Sequence, residues 1–533
     1  MRGADLLVKS LAKTGITRIF SLSGNQIMPV YDACQEAGIE IVHTRHEAAA
    51  VYMAEAYAQL TGRIGVAMVT AGAGAANAVG ALLVASESET PLLLLTGDSP
   101  VAQDGMGAFQ EMPQVAMIGP LTKLSQRPVR AAQLGQAVAQ AMRVAQSGRP
   151  GPVHISLAFD VVNERIESVE LPNATAFQRV PMYPRDGDVQ SIVQAVSTAR
   201  RPVVICGPQM NDTRFDGLND LAEALDAPVI PMESPRGLKD PALGDISTIL
   251  GQADLIVNLG KRVDFTLAFG KAESFHPEIR WIDVQPCEAE RGRAHRNLGN
   301  RLSLSIAADA RDMARALIAR GAAGSSHSDW RARVETLLST RFCPGGVTGK
   351  ITSAQLCAAV QRQIEQVSDS IVVCDGGEFG QWAQAVTKGN ARVINGISGA
   401  IGGGICYGLA ARLARPNATV FSLMGDGTVG FHFAEFETAA REGVPCVVVI
   451  GNDMRWNAEH QIQMRDYGSD RLIGCQLSSA RYDLAAAALG GHGEYVTELE
   501  QLDGALTRAV QSGKPACVNV MIEGLPAPSG AAH

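Results

Sequence analysis

Val420-Phe-Ser-Leu-Met-Gly-Asp-Gly427 and, further on, Val444-Pro-Cys-Val-Val-Val-Ile-Gly-Asn-Asp453 decide how this chain folds. Each opens as an apolar run that reads as a buried strand. Between them, residues 428–441 place Phe433, Phe436 and Ala440 at helical spacing. The unit is strand, helix, strand, and its second strand should lie parallel to the first. Asp426 leaves the carboxyl end of the first strand and Asn452 that of the second, the edge where open parallel sheets take ligands. A carboxylate and an amide oxygen are hard donors suited to magnesium or calcium, with phosphate oxygens and water completing the shell. Gly425 and Gly427 permit a tight turn and close approach of a bulky anion. The first helical turn, from Thr428, offers free N–H groups to a phosphate. The same Gly-Asp-Gly triplet marks ordinary turns, so spacing alone leaves a metal–diphosphate site and a plain strand-to-helix turn both open.

The 533 residues amount to roughly three or four domain equivalents at about 150 residues each. A hydrophobic content of 46% with 19% charged residues fits a packed globular enzyme and excludes a disordered or fibrous chain. The net charge of −8 argues against a general nucleic-acid binder. The ten cysteines include no C-x-x-C pair and read as reduced, buried thiols of a cytoplasmic protein. The start, Met1-Arg-Gly-Ala-Asp-Leu-Leu7, lacks the apolar core of a signal peptide. Elsewhere Gly, Asp or Ser breaks the apolar runs, so no membrane span is expected.

Strand-like runs recur with helical stretches between them. In residues 1–170 they are Arg18-Ile-Phe-Ser-Leu22, Ile39-Glu-Ile-Val42, Val66-Ala-Met-Val69, Leu92-Leu-Leu-Leu95 and Val153-His-Ile-Ser-Leu157, with helices over 48–60 and 77–86. In 189–320 they are Pro202-Val-Val-Ile-Cys206, Pro228-Val-Ile-Pro231, Leu255-Ile-Val-Asn-Leu259 and Ile279-Arg-Trp-Ile-Asp-Val284. A third series, in 348–525, begins with Ser370-Ile-Val-Val-Cys374 and ends with Ala516-Cys-Val-Asn-Val-Met-Ile522. The expected fold is α/β: three consecutive domains with mostly parallel central sheets, the middle one Rossmann-like. Links are read at 179–187 and 321–328. The middle domain lacks G-x-G-x-x-G; Arg262 there could face a nucleotide phosphate or simply solvent. Strand ends at Ser23-Gly24, Thr70-Ala-Gly-Ala-Gly74 and Thr96-Gly97 could form a binding rim, although turn chemistry explains most of these glycines. Glu47, in His43-Thr-Arg-His-Glu-Ala-Ala-Ala50, stands where a strand gives way to a helix. Position alone favours a structural role there, complementing the helix dipole.

Taken together, Asp426, Asn452, Glu47 and the three-domain layout resemble the thiamine-diphosphate enzymes, over nearly the whole chain. The resemblance is to the acetolactate-synthase-like group, which includes benzaldehyde lyase, oxalyl-CoA decarboxylase and 2-hydroxyacyl-CoA lyase. It implies thiamine diphosphate and Mg2+ as cofactors and leaves FAD open. On this likeness Asp426 and Asn452 supply side-chain oxygens to the metal and Met454 a backbone carbonyl; the group more often has two adjacent Asn where Gly451-Asn452 stands here. Glu47, in the context Arg45-His-Glu47, would bond N1′ of the cofactor's pyrimidine. Gly399 would accept from the aminopyrimidine, and Ile401 would wedge the cofactor into its bent form. Gln110, in Ala108-Phe-Gln-Glu111, would lie near substrate. Gly24, Thr70, Asn77, Gly377, Glu378, Gly425, Gly427 and Thr428 would line the cofactor, with Gly377-Glu378 departing from the common Gly-Gln-His pattern.

The resemblance further implies a homodimer at minimum, with active sites between subunits, and a homotetramer as the expected assembly. The leading expectation is a C–C bond lyase or carboligase for small 2-oxo acids or 2-hydroxy ketones. The double-His motif of pyruvate decarboxylases is absent where residues 105–110 stand, and Thr70 holds the place of a histidine in benzoylformate decarboxylase, which lowers simple decarboxylation. The alternatives are 2-hydroxyacyl-CoA or oxalyl-CoA cleavage, a flavin-dependent pyruvate-oxidase-like enzyme, and a non-catalytic scaffold. His46, His432, Arg455, Trp456 and His460 are candidate substrate contacts, each with a plain packing or solvent reading beside it.

Overall fold

The computed structural model of the protein describes residues 1–167, 169–321, 326–340 and 349–528. Residue 348, where the third series is expected to start, and part of the link at 321–328 lie outside them. The chain builds three sheets. The first contains β1 (Arg18–Ser21), β2 (Glu40–His43), β3 (Gly65–Val69), β4 (Leu92–Asp98), β5 (Ser125–Gln126) and β6 (Pro152–Ala158), ordered β2-β1-β3-β4-β6-β5. The second contains β7 (Pro202–Cys206), β8 (Val229–Pro231), β9 (Leu255–Leu259), β10 (Arg280–Val284) and β11 (Leu302–Ile306), ordered β11-β10-β9-β7-β8. The third contains β12 (Ser370–Cys374), β13 (Ala391–Ile394), β14 (Thr419–Gly425), β15 (Val447–Asn452), β16 (His492–Val496) and β17 (Ala516–Met521), ordered β13-β12-β14-β15-β17-β16. Every strand pairing in the three sheets is parallel. The first and third sheets share one topology, since each runs second, first, third, fourth, sixth, fifth strand across the sheet.

The expected strands are present. The four strands without a sequence signal, β5, β11, β13 and β16, all lie at sheet edges. An edge strand is covered on one side only and needs no continuous apolar run; β5 is only Ser125–Gln126, and β16 begins His492-Gly-Glu. The expected helix over 428–441 is three short pieces: Asp426–Val429, a 3-10 turn Gly430–His432, and Glu435–Arg441. Gly427 and Gly430 weaken the helical ladder there, and the turn tightens.

The helix Glu47–Thr61, between β2 and β3, joins the first and third domains. His46 caps it through Nδ1, which accepts from Ala48 N at 3.1 Å, and Gly62 ends it with φ +67°. Its small residues Ala49, Ala50 and Ala54 are wholly buried, so it packs closely against Gly404–Ala414, the helix at the same topological place in the third domain. Tyr52 and Tyr407 meet edge to face at 5.5 Å. Tyr407 Oη donates to Glu55 Oε2 at 3.0 Å, and Gln59 Nε2 donates to Oε1 at 3.1 Å. Burial raises the Glu55 carboxyl from 4.5 to about 7. A carboxyl raised on folding favours the unfolded state as pH climbs through that window. Glu55→Gln should therefore be more stable than the parent at pH 8, by about 2–3 kcal/mol. The gain should fade towards pH 5, as urea unfolding at the two pH values would show.

Candidate active site

At the carboxyl edge of the third sheet, β12 delivers Asp375, which is fully buried. Its carboxylate accepts from Gly376 N at 2.6 Å, from Gly402 N at 3.0 Å on both oxygens, and from Gly404 N at 3.2 Å. One side chain thus ties the turn at 375–377 to the glycine-rich passage 395–404. Burial pushes its carboxyl up to about 6 against these donors. Gly377 has φ +80° and Gly399 φ +71°. Ile401 Cγ2 rests on Gly376, where a Cβ would lie 2.6 Å away. The Glu378 carboxylate turns aside, accepting from Gln381 Nε2 at 2.9 Å and from Ala527 N at 2.9 Å.

β14 and β15 bring Asp426 and Asn452 to the same edge. Asp426 is buried, and its Oδ2 has no hydrogen-bond partner among the described residues. Burial raises the carboxyls of both Asp426 and its neighbour Asp453, and the Asp426 charge raises Asp453 further. Asn452 is fully buried; its Oδ1 accepts from Met454 N at 3.2 Å and its Nδ2 donates to Asn519 Oδ1 at 3.1 Å. Met454 holds φ +58°, a left-handed conformation that costs roughly 1–3 kcal/mol in a side-chain-bearing residue and points to function. Facing buried carboxylates with an unpaired oxygen, beside an amide oxygen, fit a hard dication such as magnesium. Gly451 has a physical cause, because a Cβ there would lie 2.5 Å from the Phe379 ring. At Gly427 a Cβ would lie 2.7 Å from the Trp456 ring. Thr428 Oγ1 donates to Gly425 O at 3.1 Å.

The first sheet's edge collects the other expected residues. Glu47 begins its helix and is buried; Oε2 accepts from Asn77 Nδ2 at 3.0 Å. A Cβ on Gly74 would lie 3.3 Å from Glu47 Oε1 and 2.7 Å from Thr70 Cγ2, and one on Gly24 would lie 2.3 Å from Thr70 Cβ. Gly24, Thr70, Glu47 and Asn77 are therefore one connected rim. Gln110, φ +60°, stands against Gly72. Its loop is folded by the Glu111 carboxylate, which accepts from Gly105 N at 2.6 Å, Gly107 N at 2.9 Å and Ala108 N at 3.0 Å.

Sequence reasoning passed over Asp375, Asp453 and Gln114. Asp375 carried the same signal as Asp426, an Asp-Gly at a strand end. Gln114 is buried and donates to Thr96, Gly97 O and Ser156, anchoring the loop beyond Gln110. Of the candidate substrate contacts, His46 caps its helix through Nδ1. His432 is buried between His46 and Tyr52, each ring 5.5 Å away, and burial takes it down to about 4. Burial also lowers His460, with Arg455 adding to the effect. Trp456 packs on Gly427 and faces Phe431 at 6.3 Å.

Residues 1–117 match the thiamine pyrophosphate enzyme N-terminal TPP binding domain, 189–317 the central domain, and 375–520 the C-terminal TPP binding domain. The chain is 31% identical to the acetolactate synthase large subunit IlvG of Mycobacterium tuberculosis, over 98% of this chain and 96% of that one. It is 30% identical to 2-hydroxyacyl-CoA lyase 2 of Homo sapiens, over 98% and 90%. A match to the acetolactate synthase large subunit of Parasynechococcus marenigrum is 28% identical, over 98% and 87%. The chain belongs to the thiamine-pyrophosphate enzymes.

As in other thiamine-pyrophosphate enzymes, TPP binding domains stand at both ends of the chain, and each carries one of the two clusters described above. Gly427→Ala should force Trp456 aside and weaken thiamine diphosphate binding at least tenfold. Calorimetric titration in magnesium would show this, and Trp456→Ala added to it should recover most of the loss, as expected for residues in direct contact.

Proposed function

We propose that the protein is a thiamine-diphosphate- and magnesium-dependent C–C bond lyase or carboligase acting on small 2-oxo acids or 2-hydroxy ketones. The observation that carries this reading is the pair of clusters on like sheet edges: Asp426, Asn452 and Met454 on one, Glu47 with Asn77 on the other. In this reading residues 348–525 hold the metal and diphosphate, residues 1–170 hold the pyrimidine, and residues 189–320 join them. Asp426, Asn452 and the Met454 carbonyl ligate Mg2+. Gly377, Gly425, Gly427 and Thr428 would admit the diphosphate, and Gly399 and Ile401 would hold the rest of the cofactor. Gly24, Thr70 and Asn77 line the pyrimidine side. The bound cofactor supplies a nucleophilic carbon and an electron sink. Glu47 holds a proton at the pyrimidine, with Asn77 fixing its carboxylate, and Gln110 orients substrate.

Exposed apolar side chains beside both clusters support an assembly of at least two chains with sites between them; a homotetramer as the full assembly rests on the likeness to the family. Met106 and Phe109, in the loop leading to Gln110, are each 75% exposed, and Phe431, beside Gly402, is 55% exposed. Eight of the nine described cysteines are buried, which suits a cytoplasmic setting. Among the described residues no helix is long and apolar enough to cross a membrane. Cleavage of 2-hydroxyacyl-CoA is the second reading, supported by the similarity to 2-hydroxyacyl-CoA lyase 2.

Product analysis with pyruvate and aldehyde acceptors, set against a 2-hydroxyacyl-CoA, tests the choice. Carboligation of the small 2-oxo acid is expected, and turnover confined to the thioester would reverse the order. Glu47→Gln should lower kcat about 10²–10⁴-fold while binding thiamine diphosphate nearly as well as the parent. Unchanged hydrogen–deuterium exchange at the thiazolium C2 would remove Glu47 from that role.

A further inference from the structure

An open parallel sheet takes its ligand in the crevice where strand order reverses. In the middle domain that point lies between β7 and β9, since β8 is on one side of β7 and β9 to β11 are on the other. The chain itself closes this crevice. Gly207, after β7, and Gly260, after β9, are in backbone contact, a Cβ on Gly207 falling 2.6 Å from Gly260 O. Gln209 lies across Gly260, its Nε2 2.8 Å from where a Cβ would be, and is buried. Lys261 is fully buried beside it. Its backbone is held by Asn258 Oδ1, which accepts from Lys261 N at 3.0 Å, and by Gln285 Nε2, which donates to Lys261 O at 2.9 Å.

The first domain supplies the cover. Arg149 donates to Gly260 O at 2.9 Å and to Gln285 Oε1 at 2.7 Å, and pairs with buried Glu89. Arg262, which the sequence left open to a phosphate or to solvent, pairs instead with Glu87 and lies 3.7 Å from Glu290. Arg214 reaches from the middle domain to Ser88 O at 2.7 Å. The Lys261 ammonium has no hydrogen-bond partner among the described residues, but Asp264 and Glu89 attract it. The cations Arg149, Lys261 and Arg262 thus share the seam with the carboxyls of Glu87, Glu89, Asp264, Asp283 and Glu290. A nucleotide phosphate entering here would meet carboxylates, with Arg149 and Arg262 already paired.

The geometry points to Lys261 as a built-in cation in place of a nucleotide: it is buried at a crevice that Arg149 bridges, beside the Arg149 and Arg262 pairs that lock the middle domain onto the first, so neither a flavin nor an adenine nucleotide binds there. FAD does not fit these residues. A buried ionic cluster of this kind adds little net stability but fixes one docking arrangement. This goes beyond the proposed function and stands independently of it.

The test uses the full-length holoenzyme. Denaturing release followed by mass analysis, and calorimetric titration with FAD and with ADP as probes, should give no flavin, no adenine nucleotide and no binding heat. Bound FAD or ADP at one per chain, or micromolar binding of either, would overturn the inference. Lys261→Met keeps the length and removes the charge. Its amide exchange across 86–90 and 258–262 should be at least about tenfold faster than in the parent, reporting looser docking. Unchanged exchange would overturn the lock. If Lys261→Met does not fold, the nucleotide titrations of the parent still decide. Thiamine diphosphate is titrated separately: its failure to bind would remove the proposed function and leave this result standing.

Discussion

The helix Glu47–Thr61 lies against the helix Gly404–Ala414, and the rest of the structure depends on that contact. The two helices occupy the same place in two sheets of identical topology, so the first and third domains meet through equivalent parts. The contact is close because both helices are rich in small buried residues, Ala49, Ala50 and Ala54 in one, Ala410 and Ala411 in the other. It is specific because it carries one buried polar pair, Tyr407 donating to Glu55. Such a pair costs desolvation and returns a single arrangement of the helices. The same helix that carries Glu55 at its middle carries Glu47 at its start, so domain docking and the placement of the candidate acid–base group are one constraint.

From that docking the two clusters follow. A parallel sheet puts its functional loops at the carboxyl ends of its strands, and here two like sheets present two such edges. On one, a pair of close carboxylates with a left-handed Met454 suits a metal; on the other, Glu47 is fixed by Asn77 and Gln110 is held left-handed by its loop. Strain at Gln110 and Met454 is spent where chemistry is expected. The middle domain has a different part. Lys261 is buried at its crevice, and Arg149 of the first domain bonds across to Gly260 O.

Much of this was legible in the residues. Central strands are buried on both faces and show as continuous apolar runs, which is why β4, β7, β12 and β14 were plain in the chain. Edge strands such as β16 were not, because their partly solvated residues follow no apolar pattern. Asp426 and Asn452 announced themselves by position at strand ends. Asp375 had the same signal, but its work is to accept N–H groups from Gly402 and Gly404, nearly thirty residues on, and a local pattern cannot show a long-range bond. Glu47 looked structural on local grounds and took a cofactor role only from the family likeness; its neighbours Asn77 and Gly74 are brought near by the fold alone. Arg262 was misleading for the same reason, its partners Glu87 and Glu290 being remote in sequence.

The central claim is that Glu47 of one chain and Asp426 of another complete a single site. Mixing two inactive variants tests it most directly. Glu47→Gln and Asp426→Ala, refolded together in equal amounts, should recover about a quarter of the parent activity, because half of random dimers carry one site with both residues intact. Activity no greater than that of either variant alone, with mixed dimers demonstrated by native mass spectrometry, would contradict the account and return both residues to one chain.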